Sequence, residues 1–79
     1  MKDENLKRVF DDINACWKMV KGLPEVPTDT EGAVRAFAEI VKKIREVSGE
    51  HNDPFMGDLL LAAYAEIVRD YKERKEATA

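Results

Sequence analysis

The chain is predicted to be all-α, an antiparallel up-down-up three-helix bundle, and three observations lead there. Apolar residues recur at three- and four-residue spacing in three long stretches, the period of a helix with a buried stripe. Between the stretches lie two short breaks, Leu23–Pro27 and Glu50–Asp53, too short for domain linkers and suited to antiparallel neighbours. The composition, 44% apolar and 37% charged with 3 prolines and 4 glycines, is that of a globular helical chain rather than a disordered one. The expectation is one helical domain over residues 1–79, with helices at about 4–21, 29–48 and 54–74 and a disordered tail at 75–79.

In the first helix Leu6, Phe10, Ile13, Trp17 and Val20 form the stripe, with Val9 and Cys16 beside it. Asp3 is the expected N-cap, and Asp3 and Glu4 suit the positive end of the helix dipole as Lys18 and Lys21 suit the negative end. Gly22 is the expected left-handed residue after the helix, ahead of Leu23 and Pro24. The connector Leu23-Pro-Glu-Val-Pro27 is then held extended by its two prolines.

The second helix opens with Thr28-Asp-Thr-Glu31, which matches a capping box, although Asp29 and Thr30 are also competent caps. Val34, Phe37, Val41 and Ile44 make one apolar row, and Ala33, Ile40 and Val47 the next. Ser48-Gly49 is the expected stop.

The third helix is the one the bundle is organised around. Asp53 caps it and Pro54 occupies its first position. Met56, Leu60, Ala63, Ile67 and Tyr71, with Gly57, Leu61, Tyr64 and Val68, merge into an apolar sector roughly 160° wide. Phe55, Leu59 and Ala62 form a second row on the other side. Either the connector and the first helix cover that row, or it is an interface. The expectation is an interface, with two copies of the third helix antiparallel across a two-fold in a homodimer.

Catalytic chemistry has little to work with here. Cys16 lies about 18 Å along the bundle from the only histidine, His51, which disfavours a thiol–imidazole dyad. An inert buried thiol is the expectation. Glu50, His51, Asn52, Asp53 and Asp58 cluster in sequence but lack the spacing of zinc or calcium sites, and Asn52 and Asp53 read as capping residues. Asp11 and Asp12 point about 100° apart, and Glu66 and Asp70 have Arg69 and Arg74 beside them. No phosphate loop, nucleophile elbow or Walker motif is present. The expectation is no enzyme, no cofactor, no metal and no small-molecule substrate.

A net charge of −3 argues against a duplex-binding surface, and the start of the third helix, Pro-Phe-Met-Gly-Asp-Leu, is not a recognition helix. The basic residues Arg35, Lys42, Lys43 and Arg45 are interleaved with Glu39 and Glu46 and read as a solvated face. The start of the chain is charged where a leader would be apolar, no run approaches a membrane span, and there is one cysteine; the expectation is a cytoplasmic protein without a membrane partner. Trp17, Phe37, Tyr64 and Tyr71 sit on apolar faces and are expected in the core. Trp17→Ala should then cost about 3–5 kcal/mol.

An aromatic first helix (Phe10, Trp17), a second helix opening Thr-Asp-Thr-Glu, and a third reading Pro-Phe-x-x-x-Leu-Leu-x-Ala before a charged tail together form a layout. It resembles that of short, uncharacterised all-helical proteins encoded in prophage-like regions of gut Firmicutes. It departs from them at Gly32-Ala33-Val34, where a bulky residue is usual. The resemblance implies a bacterial or phage origin and carries over no functional residue. The function expected is therefore a small non-catalytic interaction or self-association module. The alternative is a phage-type DNA-associated regulator.

Overall fold

A computed structural model of the chain describes residues 1–78. It contains α1 (Asp3–Gly22), α2 (Thr30–Glu50) and α3 (Pro54–Thr78), all three packed on one another, with no strand among the described residues. The seam between α1 and α3 is tied at Arg8–Asp53 and further along at Cys16–Leu59. Ascending partners mean that α1 and α3 run in the same direction, with α2 returning between them. The architecture is the up-down-up bundle the apolar period predicts.

The helix ends follow local chemistry, but not always through the expected residue. Asp53 Oδ1 accepts the Met56 N–H at 3.1 Å and caps α3, with Pro54 at its first position. For α2 the cap is Asp29, which accepts the Gly32 N–H at 2.7 Å, so Thr28 and Glu31 form no capping box. Asp3 lies inside the first turn of α1 rather than at its cap, and Lys2 precedes it with no side-chain cap bond.

Neither Gly22 nor Gly49 turns left-handed; both are helical, and no described glycine has a positive φ. Pro24 supplies the reason at the first site. A residue before proline is pushed to extended backbone, and Leu23 adopts φ −78°, ψ 138°. The chain thus leaves α1 without a glycine turn.

Beyond residue 74, α3 stays helical to Thr78 instead of fraying. Arg74 explains the difference. Its guanidinium donates to the Val26 carbonyl at 2.6 Å and to Asp70 at 3.0 Å, and lies 3.2 Å from Glu25, which fastens the last turns to the connector. The expected disorder at Ala79 lies outside the described residues.

Two apolar clusters make the core. Cys16, Met56 and Leu60 form one, with Met19, Ile44, Val47 and Leu59 against them. Val26, Ala33 and Ile40 form the other, packed by Phe37, Tyr64, Ile67 and Tyr71. The Phe37 ring meets Tyr71 edge-on at 5.4 Å and Tyr64 at 6.1 Å. These three aromatics are half-buried members of the core, as expected.

Trp17 is not. It is 58% exposed, and Phe10 is 67% exposed. Leu6, Ile13 and Val20 are exposed as well. The face of α1 turned inward instead carries Asp12, Cys16, Ala15 and Met19, centred about 120° round the helix from the stripe. Small Ala15 and Cys16 and flexible Met19 let α1 lie close to its neighbours, where Trp17 and Phe10 would hold it off.

Candidate interaction surface

The rotation of α1 has two consequences, one polar and one apolar. The polar one gathers four side chains at the end of the bundle where α3 begins. Asp12 is 1% exposed, and its Oδ1 lies 3.4 Å from His51 Nδ1, an ion pair whenever the imidazole is protonated. Arg8 donates to Asp53 Oδ1 at 3.0 Å, the oxygen that also caps α3.

Burial pushes the Asp12 carboxyl above the ordinary carboxylate range; the Asp53 carboxylate adds to the rise, against His51 and Arg8. For Asp53 burial also acts upward, but the Met56 N–H, Asp12 and Arg8 outweigh it and hold the carboxyl below its ordinary value. As a carboxylate, Asp12 leaves Oδ2 without a donor. Protonated, the carboxyl becomes a donor that the Asp53 carboxylate can accept.

Sequence reasoning missed Asp12. The available signal was its place in the row Asp12, Ala15, Cys16, Met19, a second possible inner face that the bulkier stripe outweighed. Among the described residues, no three His, Cys, Asp or Glu side chains are grouped to hold a metal ion. Cys16 Sγ donates weakly to the Leu59 carbonyl at 4.0 Å, and burial pushes its thiol pKa up, away from nucleophilic thiolate.

The apolar consequence is an uncovered surface. Leu6, Phe10, Ile13, Trp17 and Val20 run along three helical turns and beyond, each left 39–67% exposed. Together they present roughly 500 Å² of apolar area, in the upper range of patches on monomeric proteins. Lys21 Nζ sits 4.7 Å from the centre of the Trp17 ring and marks the edge of the stripe.

The second row of α3 is partly covered. Leu59 is half-buried against the Cys16–Met56–Leu60 cluster, Phe55 is half-buried, and Ala62 is exposed. Helix one therefore covers part of this row at Leu59, with Phe55 and Ala62 about one turn to either side of it on α3. Val20 joins Ile67, Glu66 and Asp70 in lining one cleft at the far end of the same seam.

No helix among the described residues is long and apolar enough to cross a membrane. No protein-family model matches the chain, and neither a curated protein nor a solved structure matches it.

Proposed function

We propose that the chain is a small non-catalytic helical interaction module that docks on protein through the apolar face of α1. The observation that carries this reading is the exposure of Phe10 and Trp17 on one stripe with Leu6, Ile13 and Val20. A folded chain leaves single apolar side chains in water freely, but a contiguous row with two large aromatics marks a surface meant to be covered.

The charged residues on the outer side of α1 are of both signs, Asp3, Glu4 and Asp11 with Lys7, Lys18 and Lys21, and this balance favours a protein over an anionic membrane. The single free cysteine, buried, suits a reducing compartment, and we place the module in the cytoplasm. The layout's resemblance to prophage-encoded helical proteins supports a phage or bacterial source.

Quenching of Trp17 emission tests the reading. In dilute protein a neutral quencher such as acrylamide should reach the indole freely, because α1 holds it outside the core. An indole shielded in protein that sediments as a monomer would mean that the stripe packs within the chain, and the reading would fall. A salt-sensitive gel shift with sequence preference would favour the DNA-associated regulator instead.

A further inference from the structure

The geometry points to a second copy of this chain as the occupant of the α1 face, its own α1 laid antiparallel across a two-fold near Ile13; the inference rests on the docking reading above. The first support is self-complementarity. Leu6 and Val20 stand 7 residues to either side of Ile13, and Phe10 and Trp17 stand 3 and 4 residues away. Turned end for end about Ile13, the stripe falls on itself: Leu6 meets Val20 of the second copy, Phe10 meets Trp17, and Ile13 meets Ile13. An isologous contact requires a surface that can meet its own copy, and the alternating four- and three-residue spacing of this stripe satisfies that requirement.

Charge agrees with the direction. The first turn of α1 carries Asp3 and Glu4, and its last turn carries Lys21. Antiparallel packing sets the acidic first turn of each α1 beside Lys21 of the other and opposes the helix dipoles. Parallel packing would set like ends together. Lys21, already at the stripe's edge over Trp17, is placed to meet Asp3 of the second copy.

Area agrees as well. Two stripes of roughly 500 Å² reach about 1,000 Å² in total, the least that a specific interface needs. The sequence expectation put the two-fold on α3. Because α1 half-covers Leu59, the axis is now centred on α1.

The experiment combines sedimentation velocity over roughly 1–100 µM with thiol cross-linking and Trp17 quenching. In a Cys16→Ala background, Ile13→Cys protein should cross-link to itself through a short reagent. Leu6→Cys protein should not, its two copies lying about 20 Å apart along the axis, but it should cross-link to Val20→Cys protein. Phe10→Asp with Trp17→Ser should weaken association about a hundredfold or more while leaving helicity unchanged.

Leu6→Cys protein linking to itself would mean parallel packing and would overturn the proposal. So would a dimer that survives the Phe10→Asp, Trp17→Ser change, since its interface must lie elsewhere. A monomer at all concentrations with a freely quenched Trp17 overturns the second copy but leaves the docking reading standing. A monomer with a shielded Trp17 removes both.

Discussion

Asp12 of α1 and His51 at the end of α2 lie 3.4 Å apart, Oδ1 to Nδ1, although Asp12 belongs to a helix whose apolar stripe points elsewhere. A carboxyl group that is 1% exposed, beside a second carboxylate, makes this end of the bundle sensitive to pH. Its folded pKa is raised above the ordinary 3.8 by burial first and Asp53 second. The folded chain therefore holds the proton longer than the unfolded one. The group is least unfavourable below its unfolded pKa and destabilises progressively as pH rises through the folded value. Asp12→Asn keeps the shape and a donor for Asp53 without the charge. Its thermal midpoint should exceed that of the unmutated chain by a few degrees at pH 7, and the gap should close as pH falls toward 4. Melting curves at the two pH values check this; a variant less stable at pH 7 would show that Asp12 is held as a well-paired anion.

The exposed stripe reverses the expectation for Trp17. Trp17→Ala should cost less than about 1 kcal/mol in dilute protein, because little indole surface leaves the core. Ile40→Ala, at 1% exposure in the Val26–Ala33–Ile40 cluster, should cost about 2–5 kcal/mol. Denaturant titration of both variants ranks them, and an equal loss would place Trp17 in the core after all.

At the start of α2 two neighbours should behave differently. Asp29→Ala removes the side chain that accepts the Gly32 N–H and should cost about 0.5–2 kcal/mol. Thr28→Ala, lacking that bond, should be close to neutral. Stability measurements on the pair decide between the Asp29 cap and a capping box on Thr28.

Glycine replacement gives a second contrast. A Cβ on Gly32 would stand 2.7 Å from Asp29 Oδ1 and 3.0 Å from Pro27 Cβ, so Gly32→Ala must displace the cap. At Gly57 the added atom meets nothing within 4 Å. Gly57→Ala should therefore stabilise α3 by up to about 1 kcal/mol, while Gly32→Ala gains nothing or loses. Thermal midpoints moving in the same direction would contradict the contrast.

Arg74 should matter more than a residue near the chain end usually does. Arg74→Met keeps the apolar stem but loses the donor to the Val26 carbonyl, a bond of 2.6 Å, at a cost of about 1–2 kcal/mol. Amide exchange should quicken in the last turns of α3, which Arg74 fastens to the connector. Unchanged exchange there would show that α3 is held to Thr78 by its own propensity.

The sequence by itself determined what local chemistry settles. Apolar period, two proline-marked breaks and the Asp53–Pro54 start are short-range signals, and they set the three helices and their up-down-up order. The wide apolar sector of α3 likewise required neighbours on more than one side. What only the tertiary structure decided was the rotation of α1. Its wheel carries two candidate inner faces, and hydrophobicity alone ranks Leu6, Phe10, Ile13, Trp17 and Val20 first. The fold turned inward the row with small side chains, because Ala15 and Cys16 permit close approach, and this rotation carries Arg8 and Asp12 to Asp53 and His51. Those partners lie about 40 residues away in the chain, beyond the reach of any periodicity. The same holds for Arg74 and Val26, whose bond keeps the end of α3 helical. The stripe that looked like core in one dimension became surface in three, because a helix in a thin bundle hides only the side that meets its neighbours.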